Sequence, residues 1–378
     1  MSLTVEKVTT PRQLQAFIKV AWQVYQNDPN WVPWLYFERL EFFDKTKNPF
    51  FEHSEADYFI ARRNGKPVGS IAAILNRRHN EFHNENAAHF GVFEVLNDRE
   101  AAQALLEQAC LWAREKGADK IIGPASLSTN DECGLLIEGF DGPPVLLMTY
   151  NPPYYVDFVE SAGFTKAMDL YAWLVDLRYT MDHLPAKVRE ANEAIRQQNQ
   201  FTLRPIQLKD WDAEIARIRQ IYNSAWEKNW GFVPMTDSEM AHLANGLRQI
   251  VDPRIVFMAE HAGRPIAFGI AMPNVNEALQ RLRPGPSRLS SYLAGARMLW
   301  PKRTPRLMRA FVLGVVEEYR QSGVGSMLYI ELMAAALRAG YTHAEGSWIL
   351  ETNSAMNRAL ELLSGKIYRR YRMYEKTL

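Results

Sequence analysis

The strongest constraint on the fold is an internal repeat. Tyr58-Phe59-Ile60-Ala61 leads through Asn64-Gly65 into Lys66-Pro67-Val68-Gly69 and Ile71-Ala72-Ala73. About 200 residues later Val256-Phe257-Met258-Ala259 leads through Ala262-Gly263 into Arg264-Pro265-Ile266 and Phe268-Gly269-Ile270-Ala271. Phe59 and Phe257, Ala61 and Ala259, Gly65 and Gly263, and Pro67 and Pro265 coincide. Two apolar runs joined by a short glycine turn predict a hairpin. The same neighbours recur around each copy: a short strand (Leu3 to Val8, Phe201 to Ile206), then a helix. The first helix carries Leu14, Phe17, Ile18, Ala21, Trp22 and Tyr25; the second carries Ile215, Ile218, Ile221, Tyr222 and Trp226. A strand, a turn and a helix ended by Gly117 or Gly340 follow each hairpin. With 378 residues the chain also exceeds one ordinary core. The expectation is an α/β (α+β) protein of two similar mixed-sheet domains, residues 1–178 and 201–378. A polar connector, 179–200, ends in Gln197-Gln198-Asn199-Gln200.

The two copies differ where the later strand meets its helix. In the second, the apolar run Ala310 to Val316 enters Tyr319-Arg320-Gln321-Ser322-Gly323-Val324-Gly325-Ser326, and a helical pattern runs from Met327 to Leu337. Strand, glycine turn and helix aim backbone N–H groups and a positive helix end at one spot, which suits a phosphate. The first copy reads Glu94-Val95-Leu96-Asn97-Asp98-Arg99-Glu100, without a glycine pair and with three acids where phosphates would lie. Like charges repel there, so this copy is expected to bind no phosphate and to serve as a scaffold or to shape an acceptor site. Asp98 is expected to cap the helix from Arg99 to about Lys116.

Arg320-Gln321-Ser322-Gly323-Val324-Gly325 resembles the R/Q-x-x-G-x-G/A motif of the GNAT superfamily of N-acetyltransferases. The preceding strand, Asn353 in Glu351-Thr352-Asn353 and the order of elements in both halves fit the same family. The resemblance implies a tandem two-domain member with the acyl-CoA N-acyltransferase fold. It implies that backbone groups of Arg320, Gln321, Ser322, Gly323, Val324, Gly325 and Ser326 bind the pyrophosphate of acetyl-CoA or another acyl-CoA. The strand at Leu313, Gly314 and Val315 would pair with the pantetheine arm, beside a gap between the fourth and fifth strands. Asn353 would hydrogen-bond the pantetheine, or cap the following helix. The activity implied is transfer of an acyl group to an amine of a small molecule or peptide.

Acyl transfer to an amine needs a proton acceptor for the amine and a hydrogen-bond donor for the thioester oxygen. The resemblance assigns the donor to the backbone of Leu313 or Val315. Glu317, Glu318, Glu345 and Glu351 are the carboxylates at the relevant strand ends, with Glu351 and Glu317 ranked first as catalytic residues. Glu345, Ser347, Ile349 and Glu351 share one strand face by alternation. The family commonly places a tyrosine acid seven or so residues after the asparagine; Leu360 stands there, leaving Tyr368, Tyr371 or Tyr374 as substitutes. Two further stretches are candidates for the acceptor. One is the polar loop from Gly123 to Gly134 with Asn130, Asp131 and Glu132. The other is the acid-free segment 280–309, with Arg281, Arg283, Arg288, Arg297, Lys302, Arg303, Arg306 and Arg309 beside Tyr292, Leu293, Met298, Leu299 and Trp300. A segment of that kind suits the adenosine 3′-phosphate, an anionic acceptor or a membrane surface.

A net charge of +1 gives no reason to expect nucleic acid. Cys110 and Cys133 make no disulfide framework and fit a reducing, cytoplasmic compartment. Met1 to Lys7 has no apolar run of the signal-peptide type, and no uncharged apolar stretch reaches the ~18 residues of a membrane span. The histidines, His79-x-x-x-His83 included, lack metal-ligand spacing, so no metal is expected. Two rival readings stay open: a CoA-binding scaffold without turnover, and a tandem aminoacyl transferase that draws on aminoacyl-tRNA. Acceptor, acyl length and oligomeric state are not written in the sequence.

Overall fold

The computed structural model describes residues 2–198, 200–225, 229–299 and 305–378. Asn199, Trp226, Trp300, Lys302 and Arg303 lie outside the described residues. The chain forms two compact units. One comprises Met1–Leu170, Ala278–Met298 and Arg369–Leu378, the other Tyr171–Glu277 and Leu299–Tyr368. This division departs from a cut at 178–201. The chain's end from Arg369 and the part of the basic insertion from Ala278 to Met298 belong to the first unit, because each finds its partners there, whereas Tyr368 and Arg309 belong to the second.

In chain order the elements up to residue 176 are β1 (Leu3–Lys7), α1 (Pro11–Val24), α2 (Tyr36–Phe42), β2 (Glu55–Arg63), β3 (Lys66–Leu75), α3 (Arg77–His83), β4 (Ala87–Val95), α4 (Arg99–Glu115), β5 (Lys120–Gly123), β6 (Leu135–Glu138), α5 (Tyr154–Ser161) and β7 (Thr165–Asp176). There follow α6 (Leu177–Asp182), α7 (Ala186–Gln197), β8 (Phe201–Pro205), α8 (Trp211–Ala225), α9 (Asp237–Leu247), β9 (Val256–His261), β10 (Arg264–Pro273), α10 (Asn276–Leu282) and α11 (Arg288–Leu299). The last are β11 (Leu307–Val315), α12 (Val324–Ala339), β12 (His343–Leu350), α13 (Ser354–Leu362) and β13 (Lys366–Thr377).

The first unit's sheet runs β1-β2-β3-β4-β5-β13, with β6 also on β13. The β2–β3 hairpin turns through Asn64 (φ 50°) and Gly65 (φ 77°), both left-handed as a two-residue turn requires. Alternation then sorts the side chains. Phe59, Ala61, Ile71 and Ala73 face α4 with its Leu105, Leu106 and Ala109, while Tyr58, Ile60, Ala72 and Ile74 face Phe17 and Ile18 of α1. Thr10 caps α1 in a reciprocal box with Gln13. β6, directly after the polar loop from Gly123 to Gly134, is four residues long; its partner, Leu135↔Arg372, is far away in sequence, so no local pattern announces it.

The second unit repeats the plan. Its sheet runs β8-β9-β10-β11-β12-β7, with β7 contributing its second half. The hairpin turns through Ala262 (φ 50°) and Gly263 (φ 78°). Leu332, Met333 and Ala336 of α12 pack on Met308, Ala344 and Leu360, and Ile218 and Ile221 of α8 pack on Met258 and Phe268. Among the described residues no helix is long and apolar enough to cross a membrane.

Candidate active site

The centre of the second unit's sheet divides. β11 and β12 pair in parallel from Leu307↔His343 to Ala310↔Gly346, and both strands then run on, to Val315 and Leu350. On its other edge β11 stays paired with β10 as far as Val315↔Ala267, with a register slip that leaves Phe311 as the extra residue. Leu313, Gly314 and Val315 therefore have one edge on β10 and the other beyond the end of the β12 ladder. Such an edge offers main-chain donors and acceptors to an extended ligand that carries amides of its own.

At the open end of β11 lie a 3-10 turn, Glu317–Tyr319, and the glycine turn. Gly323 stands at the N-cap of α12 with φ 82°, a left-handed conformation that L side chains resist, and no side chain caps the helix. The Ser322 hydroxyl donates to the Tyr319 carbonyl at 2.8 Å and accepts from the Val324 amide at 3.3 Å. The next amides, of Gly325 and Ser326, have no acceptor within the helix, and the positive end of its dipole lies there. A Cβ on Gly323 would lie 2.2 Å from Ile195 Cδ1 of α7, so that side chain borders the turn. Gly325 has no such crowding: its Cβ position meets Val315 at 3.5 Å. Bare amides, a left-handed glycine and the neighbouring Arg320 fit a pyrophosphate. Glu317, 70% exposed, stands on the outer side of this turn 3.9 Å from Arg320, and Glu318 pairs with Arg264 at 3.3 Å.

Where the β11–β12 ladder ends, polar side chains converge on a buried carboxylate. Glu345 has no solvent exposure; the Ser347 hydroxyl donates to it at 2.6 Å and the Tyr368 hydroxyl donates to its other oxygen. Arg309, opposite Glu345 in the ladder, is buried with its guanidinium 5.1 Å from the Phe311 ring and 4.9 Å from the Trp348 ring. In-register residues of a parallel pair share a face, which sets Arg309 beside Glu345, and alternation adds Ser347 to that face. Glu351 follows in the turn after β12, half-buried. Asn353 caps α13, its Oδ1 accepting from the Met356 amide at 3.1 Å. Leu360 is buried and packs 3.5 Å from the Cβ position of Gly346, a core residue with no polar role. Tyr371 and Tyr374 belong to the first unit, where Tyr374 donates to Glu160 at 3.0 Å. Of the three tyrosines considered as acids, Tyr368 is the one that meets a strand-end carboxylate of this unit. The alternation of Glu345 and Ser347 was legible in the sequence, and Tyr368 was one of three tyrosines considered there as the acid; the places of Arg309, Phe311 and Trp348 around them were not singled out.

The corresponding corner of the first unit is filled by its own side chains. Asp98 caps α4 through the Ala101 amide at 3.1 Å and pairs with Arg63 at 2.6 Å, and Glu100 pairs with the same Arg63 at 2.8 Å. Glu94 does not join them at the turn. It is buried, accepts from the Tyr155 hydroxyl at 3.0 Å, and its carboxyl is pushed up to about 8 by burial, only partly offset by hydrogen bonds from Tyr25 and Tyr155. Beside β4, the Cβ position of Gly91 lies 1.8 Å from the Ala125 carbonyl oxygen, so the following loop lies hard against the strand. In that loop Glu132 is tied to Arg39 at 2.6 Å, and the Ser128 hydroxyl accepts from the Asn130 amide at 3.0 Å. Among the described residues no group of three or more His, Cys, Asp or Glu is placed to hold a metal ion.

Comparison with known proteins bears on the family and the fold. No protein-family model matches the chain. It is 36% identical over 373 residues to protein YghO of Escherichia coli, covering 97% of this chain and 93% of that one. It is 34% identical over 383 residues to a bacterial ceramide synthase of Caulobacter vibrioides, covering 100% and 98%. Among solved structures, a tandem GNAT protein from the clavulanic acid biosynthesis pathway superposes with a TM-score of 0.57 at 13% identity, over 100% of this chain and 98% of that one. A GCN5-related N-acetyltransferase from Sphaerobacter thermophilus gives 0.51 at 12% identity, over 99% and 95%. Folded as a tandem GNAT protein, the chain belongs to the family of protein YghO and the bacterial ceramide synthase.

Proposed function

We propose that the protein is an acyl-CoA-dependent N-acyltransferase whose donor site lies in the second unit and whose acceptor is a long-chain amine. The observation that carries the donor site is the divided sheet: a free edge at Leu313–Val315 leads from a glycine turn to a buried Glu345. Amides of the 320–326 turn take the pyrophosphate, and the free edge of β11 takes the pantetheine amides. A ceramide is the amide of a fatty acid and a long-chain base, so the name of the Caulobacter relative supports a long-chain base as acceptor here.

In this reading the amine nitrogen attacks the thioester carbon, the C–N bond forms and the C–S bond breaks. The proton leaving nitrogen passes to Glu345 through the hydroxyl of Ser347 or Tyr368, and a proton is returned to the departing thiolate through Tyr368. A buried carboxylate fixed by two hydroxyls is an acceptor that needs no reorganisation. Backbone N–H groups of the open β11 edge polarise the thioester carbonyl. Glu351, nearer the open end of the split, is the alternative proton acceptor. Glu317 sits beside the phosphates and acts through Arg320.

The test is incubation with palmitoyl-CoA and sphinganine, reading amide product by mass spectrometry and free thiol by colour. Amide formed by the wild type and lost in Gly323→Glu is the expected result. Faster acylation of small soluble amines would sink the long-chain acceptor. Acyl-CoA binding without turnover on any amine would make the protein a CoA-binding scaffold instead.

A further inference from the structure

Helix α11 has two unlike faces. Its inner face is fixed in the first unit: the Tyr36 amide donates to Ser291 Oγ at 2.7 Å, and Ala294 and Met298 pack with Val32 and Leu35. Its outer face carries Leu289 (72% exposed), Tyr292 (57%), Leu293 (53%) and Leu299 (44%). Large apolar side chains at this exposure occur elsewhere in the described chain only singly on their elements. At about 100° per residue, Leu289, Tyr292, Leu293, Ala296 and Leu299 share one arc of roughly 120°, and Arg288 and Arg297 stand at its two edges. Phe37 stacks on Tyr292 at 4.7 Å and holds that ring at the surface.

Charge selects the occupant. Residues 278–299 carry Arg281, Arg283, Arg288 and Arg297, all exposed, and no acid, in a chain whose net charge is +1, so the rest of the chain is net acidic. A second copy of this chain, docked by the same face, would set arginines against arginines. A soluble anion would satisfy the arginines and leave the leucines in water. An anionic lipid surface satisfies both: the apolar arc enters the acyl boundary while the flanking guanidinium groups stay at the phosphates. We propose that α11 docks the protein on the surface of an anionic bilayer, lying in its plane. The inference does not depend on acyl transfer.

The experiment is co-sedimentation of the full chain with phosphatidylcholine vesicles, with and without phosphatidylglycerol. The wild type should sediment with the anionic vesicles and be released by salt. Leu289→Ser with Leu293→Ser should weaken binding about tenfold or more. Arg288→Gln with Arg297→Gln should weaken it by about tenfold and abolish the preference for phosphatidylglycerol. Unchanged far-ultraviolet circular dichroism and thermal midpoint keep folding out of the comparison. Acylation of a soluble amine should be unchanged in all four substitutions, which separates this docking from the active-site reading. Equal sedimentation of wild type and the leucine variant would overturn the proposal. So would no sedimentation, or a dimer that the leucine substitutions dissociate.

Discussion

The two strand–turn–helix corners start from one plan and end in opposite chemistry. Before α12, the N-cap is a left-handed glycine, no side chain caps the helix, and the strand beside it has a free edge. Before α4, Asp98 occupies the helix end, Arg63 neutralises it together with Glu100, and Ala125 lies on Gly91 of the strand. A helix end attracts anions whichever copy it belongs to. The difference is who supplies the anion: the first unit's own aspartate or, in the function proposed here, a ligand of the second. One copy has thus become self-sufficient while the other has kept an unsatisfied end.

Gly323→Glu is the sharpest way to break this contrast. It places a carboxylate where the proposal puts phosphate, and strains a φ of 82°. Calorimetry should show acyl-CoA affinity lowered about a hundredfold or more. Asp98→Gly with Glu100→Gly, which removes the acids from the other corner, should create no second site. Photoactivatable CoA attached at residues 94–102 would show that both corners bind and end the comparison.

The two buried carboxylates extend it to turnover. Glu345→Gln should lower kcat roughly a hundredfold with little change in KM for acyl-CoA, and Tyr368→Phe roughly tenfold. Glu94→Gln should leave kcat near the wild-type value. A larger loss of kcat from Glu351→Gln than from Glu345→Gln would move the proton acceptor to the open end of the split.

Much of this contrast was legible in the sequence, and the reasons are local. Hairpins announce themselves through period-two alternation and a glycine turn, and the 320–326 corner through its glycines. Asp98 as a cap follows from its place before an apolar helix. Glu94 was not legible, because its neighbours Tyr25 and Tyr155 come from the C-cap of α1 and from α5 and decide its charge by burying it. The Glu345–Tyr368 contact was equally hidden, since β13 carries no short-range signal of the strand it meets. Nor does composition reveal that the chain's last residues complete the first unit.

Glu94 also yields a pH prediction. Its folded carboxyl is raised from 4.5 to about 8, so between those values the folded state holds a proton that the unfolded state has released. Stability from this group is therefore fully present below about 4.5 and declines as pH rises to about 8, by roughly 3 kcal/mol at pH 7. Glu94→Gln should remove that decline and be the more stable protein at pH 8. His79 slopes the other way. Burial lowers it to about 4, so its contribution is lost as pH falls from 6.5 towards 4, and urea melts across both windows separate the two groups.

The smallest effect divides the first corner into its parts. Asp98 does two things, capping α4 and pairing with Arg63, and side-chain hydrogen bonding from Arg63 holds its carboxyl below the usual range. Asp98→Asn keeps a good cap and removes the charge, so urea melts should show a loss of about 0.5 kcal/mol. Asp98→Ala removes both and should cost about 1–2 kcal/mol. Neither should change acyl-CoA affinity, because the anion at that corner belongs to the protein. A change in affinity with either variant would mean that the two corners are coupled, and that the first copy is more than a support for the second.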